Sequence, residues 1–295
     1  MLKFLKILIS GIALLFPFLG MALTVAPAKT ELYVNPGDSL VLQFIVRNDD
    51  PVDGYIYPRV RVFSEDEGGS KIFLDNAPEI EWVSLPSEIF APSQKEIKVD
   101  VKINVPEDAP PGGHFLGIGF SSLPPKEKKD TGNVAIGVNV IGLVYINVSG
   151  QTVEKISISN LNLKSFVLNL PLKLSYTIKN EGNTYIRPRG EIVFTNIFGK
   201  KQGATLVNPR ELQILPGKEK VLETNWDPKF AFGPYKVNFN ISYGKAETLQ
   251  FSKWIFIASL RQIIIFIIVV FFLVFVVPAL IKKYNKWIIS RYSQK

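Results

Sequence analysis

The chain of 295 residues contains no cysteine and a single histidine, His114. Without cysteine there is no disulfide framework, no zinc finger and no cysteine nucleophile. A Ser-His-Asp triad or a histidine-rich metal site would have to be built around His114, which stands in Gly-Gly-His-Phe at the start of an expected strand and which we interpret as a structural polar residue. Gly-rich phosphate loops and His-Glu-x-x-His patterns are also missing. We therefore predict no catalytic residue, no cofactor, no metal and no enzymatic activity.

Acidic residues are fewer than basic ones, with 26 Asp+Glu against 34 Lys+Arg and a net charge of +8. A basic balance of this size is typical of nucleic-acid binders if it is concentrated on one domain. Here residues 23–260 hold 26 basic and 26 acidic side chains, and the excess lies at the two ends of the chain. Nucleic acid is therefore excluded as an expected partner.

The first 22 residues have the pattern of a secretory signal peptide. Lys3 and Lys6 precede an apolar run over 7–19, and Gly20-Met21-Ala22 places small residues at the minus-three and minus-one positions of a cleavage site. The alternative is an uncleaved anchor helix. We predict that residues 1–22 direct export and that the mature chain begins at Leu23.

A second apolar run, 262–281, has 20 residues without a charge. As a helix it measures about 30 Å, enough to cross the hydrocarbon layer. The expected flanks of this anchor are Arg261 on one side and Lys282, Lys283 and Lys286 on the other. By the positive-inside rule we predict a single-pass cell-membrane protein with its N-terminal domains outside the cytoplasm and a basic cytoplasmic tail, 282–295, near anionic lipid.

Between these segments the apolar residues alternate with period two in short runs rich in Val, Ile, Phe and Tyr, separated by Pro, Gly, Asn and Asp. No sustained helical period is present. The pattern predicts an all-β fold, two tandem immunoglobulin-like β-sandwich domains followed by one transmembrane α-helix. The expected domain bounds are 23–150 and 151–257.

An internal repeat supports two copies of one domain. Residues 40–63 and 172–194 each contain an alternating strand, a basic residue with asparagine (Arg47-Asn48 and Lys179-Asn180), a turn, and Tyr-Ile-x-Pro-Arg. Asparagine is expected to hold the turn through its side chain. Downstream, each copy has a glycine just before an aromatic residue, Phe115 or Tyr235, which we expect to plug the end of the core.

The two expected domains differ in charge. Residues 23–150 carry 11 basic and 18 acidic residues, and residues 151–260 carry 15 and 8. These are either ordinary solvated surfaces or a basic domain that lies against anionic lipid or wall polymer with an acidic domain projecting outward. Only about five residues join the last strand to the apolar run. We interpret Trp254 in that strand as a core residue, with an interfacial anchor as the alternative.

Two segments remain as candidate sites. The acidic turns at 49–54 and 65–69 contain oxygen ligands suited to calcium but lack the spacing of an EF-hand loop, so ordinary turn chemistry is the alternative. The polar loop 121–133 is long for a hairpin and is either a binding loop at the end of a sandwich or a spacer.

Several segments together resemble a known family. They are Leu-Thr-Val-x-Pro-Ala-Lys at 23–29, Asn-Pro-Gly-Asp at 35–38, Val-Arg-Asn at 46–48, Val-Pro-Glu-Asp-Ala-Pro-Pro-Gly-Gly-His-Phe at 105–115 and Ala-Ile-Gly-Val-Asn-Val-Ile-Gly at 135–142. The chain resembles the WxL-interacting surface proteins of bacteria, most specifically over residues 23–150. The resemblance implies a signal peptide, two Ig-like domains, one C-terminal span and peptidoglycan binding by the first domain, and it transfers no functional residue.

These observations predict a membrane-anchored extracytoplasmic binding or adhesion protein of the bacterial cell envelope. It would hold a cell-wall polymer (peptidoglycan) or a surface protein through its Ig-like domains. The alternative is an accessory or chaperone-like subunit of a surface-assembly or export system, which would engage extended polypeptide at an exposed sheet edge.

Overall fold

The computed structural model describes residues 23–66, 69–124, 138–258 and 260–292. The predicted signal peptide lies outside the described residues. The chain divides into two compact units between Val153 and Glu154, three residues beyond the boundary expected from the sequence.

The first unit contains two mainly antiparallel sheets that face each other across a core. One sheet has the strand order β1-β3-β8-β6, and the other has the order β2-β10-β9-β4-β5 with β7 also paired to β4. The strands are β1 (Leu23–Ala26), β2 (Lys29–Val34), β3 (Ser39–Asn48), β4 (Gly54–Glu65), β5 (Lys71–Leu74), β6 (Val83–Ser84), β7 (Ile89–Ala91), β8 (Glu96–Asn104), β9 (Gly112–Ser121) and β10 (Asn139–Val148).

The core of the first unit follows from the alternation seen in the sequence. Every second residue of β8 points inward, so Val99, Val101 and Ile103 are buried while their neighbours are exposed. Opposite them, β9 contributes Leu116 and Ile118 to the same core. Each such side chain stabilises the fold by about 1.5–3 kcal/mol relative to its exposure to water.

The second unit repeats this architecture. Its sheets have the orders β11-β13-β16 and β12-β18-β17-β14-β15. The strands are β11 (Ile156–Asn162), β12 (Phe166–Val167), β13 (Leu172–Asn180), β14 (Arg189–Asn196), β15 (Lys201–Leu206), β16 (Glu219–Trp226), β17 (Phe232–Tyr243) and β18 (Glu247–Ala258). The predicted class, two immunoglobulin-like β-sandwich domains followed by an apolar helix, is confirmed.

The sequence predicted, in each unit, a glycine followed by an aromatic residue that fills the end of the core. This prediction is correct in the second unit and wrong in the first. Gly233 has a φ of +96°, and Tyr235 two residues later is buried in the core. In the first unit the left-handed residue is Gly112, with a φ of +127°. Phe115 faces the outer side of its sheet and packs on Phe63, with ring centroids 5.7 Å apart. The expectation that Phe115 plugs the core is therefore wrong, because the strand register turns it to the opposite face.

Trp254 is also placed differently from the sequence interpretation. Its neighbours in β18, Ile255 and Ile257, point into the core, so alternation turns Trp254 outward. The indole is 54% exposed. The assignment of Trp254 to the core is wrong.

The C-terminal segment is helical from Leu260 to Tyr292. It consists of α1 (Leu260–Phe271), a π-helical turn (Phe272–Val276) and α2 (Val277–Tyr292). The candidate span lies within Gln262–Ile288, where an 18-residue stretch has a mean hydropathy of 3.5, and by its length this helix is able to cross a membrane. The expected anchor flanks all lie in this helix, Arg261 in its first turn and Lys282, Lys283 and Lys286 as exposed residues of α2.

Candidate interaction site

On the side away from β9, strand β10 is paired with another strand along only part of its length. The parallel strand β2 pairs with Leu143–Val148, and the chain before β2 pairs with the opposite sheet as β1. As a result, Asn139–Gly142 has β9 on one side and, among the residues that the structure describes, no strand on the other. This open half of β10, Asn139–Gly142, is called the open edge below.

The directions of the backbone groups along the open edge follow from its paired half. The Leu143 N–H donates to the Ala28 carbonyl, 2.9 Å away, and therefore points away from β9. Because backbone groups alternate in direction along a strand, the N–H and C=O of Ile141 and Asn139 point the same way. The open edge therefore presents two donors and two acceptors in the spacing of a β-ladder.

Four other edge strands in the described part of the chain, β11, β15, β16 and β18, carry features that discourage pairing. β11 has a register shift between Ser159 and Asn162, and the pairing of β15 with β14 shifts register between Phe194 and Thr195 of β14. β16 carries three charged residues, and β18 turns Lys253 inward, with its Nζ 2.6 Å from the Leu163 carbonyl oxygen. Bulges, charges and inward-pointing lysines are the usual means of blocking edge-to-edge association. The open edge of β10 contains no charge, proline or bulge.

A shallow groove of about 280 Å³ lies on the outer face of the sheet beside the open edge. Its floor is formed by Gly117 and Gly119 of β9, and its sides include Tyr57, Arg59 and Arg61 of β4. Asn139 and Ile141 of the open edge also line it.

The glycines are required for this groove to exist. A Cβ on Gly117 would lie 2.7 Å from Cε1 of Phe73, and a Cβ on Gly119 would lie 3.4 Å from Oδ1 of Asn139. Side chains at these two positions would fill the floor, so the Gly-x-Gly of β9 keeps it open.

Two arginines give the groove a local positive charge within an acidic unit. Nε of Arg61 lies 2.7 Å from a carboxylate oxygen of Asp75, which fixes its side chain. Arg59 is exposed. A guanidinium group at this position favours a carboxylate on a bound partner.

His114 is held in place by contacts to two other segments of the first unit. Its Nε2 donates to the Pro110 carbonyl at 2.9 Å, and its Nδ1 lies 3.0 Å from Oε1 of Glu79. The ring also packs on Trp82, with centroids 4.6 Å apart. His114 thus joins β9 to the 3₁₀ turn Pro78–Trp82.

Three carboxylates of the acidic turns are engaged by groups of the protein itself. Asp49 pairs with Arg47, and Oδ1 of Asp53 accepts the N–H of Ser93 at 2.7 Å. Oδ1 of Asp66 accepts a backbone N–H of its own turn. Within the described residues no group of three His, Asp or Glu side chains is suited to a metal ion, and positions 67 and 68 lie outside those residues.

The predicted binding loop, 121–133, is described only up to Pro124. Ser121 and Pro124 line the groove, so the described start of this loop adjoins the site. The open edge itself was not identified from the sequence, because it depends on where the chain before β2 crosses between sheets.

No protein-family model and no curated protein matches this sequence. Solved structures with a similar arrangement include the class 5 fimbriae chaperone CfaA, at 13% identity over 79% of this chain and 99% of that chain, with a TM-score of 0.44. The E. coli chaperone DraB has 16% identity over 80% and 97%, with a TM-score of 0.39. A protein of unknown function from Porphyromonas gingivalis W83 has 16% identity over 79% and 99%, with a TM-score of 0.30. At these identities and scores no conclusion about function follows.

Proposed function

We propose that this chain is a membrane-anchored envelope protein that holds an extended segment of another polypeptide as an added strand on β10. It would act as an accessory or chaperone-like subunit in the assembly or export of surface proteins. The open edge carries the proposal, because it offers ladder-spaced backbone groups without any of the features that block pairing.

An added strand would gain both backbone and apolar contacts. Hydrogen bonds to Asn139 and Ile141 would each contribute about 0.5–1.5 kcal/mol. Val138 and Val140 are half-buried and pack against the core of the first unit. Apolar side chains on the inner face of the added strand would cover them, and an acidic side chain on the outer face would be attracted by Arg59.

The anchoring part of the proposal rests on the two apolar segments. Residues 1–22 would direct export, and the helix over Gln262–Ile288 would cross the cell membrane once. Lys282, Lys283 and Lys286 would then lie on the cytoplasmic side, with both β units outside.

The groove favours a second candidate, binding of a cell-wall polymer. Tyr57, Arg59 and Asn139 together supply a ring, a cation and an amide, which suit sugars and the carboxylates of peptide stems. This function is also what the resemblance to the WxL-interacting surface proteins implies. It needs the groove but makes no use of the backbone groups of the open edge.

A proline substitution separates the two candidates. Ile141→Pro removes an outward N–H and leaves the ladder to β9 intact, and edge strands tolerate such a change. Ser252→Pro is the matched control, because the Phe256 N–H donates outward to Ser165 and alternation turns the Ser252 N–H outward on β18 in the same way. The full-length chain would carry a photo-crosslinking residue at Asn139 in native membranes.

We expect a discrete crosslinked polypeptide that is lost with Ile141→Pro and kept with Ser252→Pro. Hydrogen exchange should show protection of the Asn139 and Ile141 amides when that polypeptide is bound. If the full-length chain instead sediments with isolated peptidoglycan, and Arg59→Ala rather than Ile141→Pro abolishes retention, strand addition is rejected and the second candidate is supported.

A further inference from the structure

Aromatic side chains form a row across one end of the second unit. Phe166 of β12 stacks on Phe256 of β18, with centroids 5.6 Å apart, and Phe256 contacts Phe232 of β17 at 6.2 Å. Phe232 in turn lies 6.5 Å from Phe266 of α1. The rings therefore run from the sheet to the candidate membrane span without a gap.

The loops at this end of the sheet carry further exposed aromatic residues. The turn after β14 presents Phe198, which is 86% exposed, and the segment before β17 presents Phe230, which is 69% exposed. The pairing of Asn196 with Tyr235 places the turn after β14 at the same end as the start of β17. This set, Phe166, Phe198, Phe230, Phe232 and Phe256, is called the aromatic end below.

Lysines accompany the aromatic residues in each of these loops. Lys164 precedes Phe166 by two residues, Lys200 follows Phe198 by two, and Lys229 directly precedes Phe230. All three lysines are exposed. An aromatic ring next to a basic side chain is the combination that is enriched at the membrane–water interface.

The contact with α1 shows how far the aromatic end lies along the candidate membrane span. Phe266 is four residues past Gln262, where the candidate span begins. At 1.5 Å per residue this is about 6 Å inside the start of the span. Because Phe232 contacts Phe266, it lies at the same level, below the boundary at which the helix enters the apolar layer.

We propose that the aromatic end is a membrane seat, which inserts into the headgroup and upper acyl region of the bilayer and holds the second unit end-on to the membrane. This inference rests on the proposed anchoring by the helix. Seating explains why five phenylalanine side chains remain exposed together at one end of the second unit.

The absence of cysteine allows each position to be labelled alone. Single cysteines at Phe198, Phe230, Gln250 and Leu273 would carry an environment-sensitive fluorophore in the full-length chain. The chain would be reconstituted in vesicles of phosphatidylcholine and phosphatidylglycerol that contain lipids with a quencher at a shallow or a deep position. Leu273 reports on the span, and Gln250 is the matched control, six residues from Phe256 on the same face of β18.

We expect deep quenching at Leu273→Cys, shallow quenching with a blue shift at Phe198→Cys and Phe230→Cys, and no quenching at Gln250→Cys. Phe232→Ser should reduce the quenching at Phe198→Cys, whereas Val221→Ser, an exposed apolar residue on β16, should not. If Leu273→Cys is quenched while Phe198→Cys and Phe230→Cys behave like Gln250→Cys, anchoring stands and the membrane seat is rejected. If Leu273→Cys is not quenched, both the proposed anchoring by the helix and the membrane seat are rejected.

Discussion

Asn48 and Asn180 make the same three side-chain hydrogen bonds, one asparagine in each unit. In both, Oδ1 accepts the N–H two residues ahead, and Nδ2 donates to the carbonyl four residues ahead and to a carbonyl of a distant segment. The partners are Asp50, Val52 and Ala91 for Asn48, and Gly182, Thr184 and Ile214 for Asn180, all within 2.8–3.1 Å. The repeat found in the sequence therefore corresponds to the same buried hydrogen-bonding arrangement in both units, here called the asparagine clamp. In each unit the amide bonds to its own turn and to a carbonyl of a distant segment.

Removal of this clamp should destabilise the unit that contains it. Asn180 is fully buried, so Asn180→Ala removes three hydrogen bonds from a site that water does not reach. We expect the free energy of unfolding of the second unit to fall by about 1–3 kcal/mol. Thermal unfolding of the full-length chain in detergent measures the change. Asn225→Ala, on an exposed position of β16, should stay within about 0.5 kcal/mol of wild type.

Tyr176 should make the second unit sensitive to alkaline pH. Burial raises the pKa of its phenol above the ordinary value of 10.0, and the hydroxyl donates to the Val207 carbonyl. Between the unfolded and folded pKa values the native state binds the extra proton, so stability should fall as the pH rises above about 10. Tyr176→Phe should flatten this decline in pH-dependent unfolding. An unchanged slope would show that the phenol does not control it.

Gly190 should not tolerate a side chain. Its φ is +131°, and a Cβ would lie 2.0 Å from the backbone oxygen of Asn240 in the neighbouring strand. Gly190→Ala must therefore push β14 and β17 apart, and we expect a loss of roughly 3 kcal/mol in a denaturant titration. Gly54→Ala, where a Cβ meets nothing within 4 Å, is the control and should have little effect. Equal effects of the two substitutions would contradict the prediction.

The histidine in the first unit should matter for stability and not for partner binding. His114→Leu removes the hydrogen bonds to Glu79 and to the Pro110 carbonyl that hold the 3₁₀ turn. We expect the unfolding free energy of the first unit to drop by about 1–3 kcal/mol. Crosslinking through Asn139 should persist at temperatures where the variant is folded. Loss of crosslinking in a folded variant would assign His114 to the site.

The sequence predicted the elements whose side chains alternate strongly. Strands such as β3, β8 and β17 have apolar residues at every second position, which is the pattern that predicted the all-β fold. β15 was missed, because Lys201–Leu206 has only small or polar residues besides its last, which gives no period. Trp254 was misassigned because the register of one strand decides its face, and a single residue of shift reverses the result.

The candidate sites depended on contacts between distant segments and were not predicted. The open edge exists because Leu143 pairs with Lys29, which no local pattern of β10 reveals. The membrane seat joins residues spread over positions 166–256, which the antiparallel pairings of β14, β17 and β18 and the parallel pairing of β12 with β18 bring together. A lysine beside phenylalanine in an otherwise polar turn was the one sequence signal of the seat. Gly117 and Gly119, separated by a single residue, gave the corresponding signal of the groove.

The unequal length of the two parallel pairings has a mechanical consequence. β2 pairs with β10 over six residues. β12 pairs with β18 over only two, Phe166 with Phe256 and Val167 with Ile257. Tension applied between the ends of a unit shears these pairings, so all bonds of one pairing must rupture together. We therefore expect the second unit to yield at a lower force when the full-length chain is stretched in a single-molecule experiment. The second unit would then extend first under load, and the first unit, which bears the open edge, would stay folded.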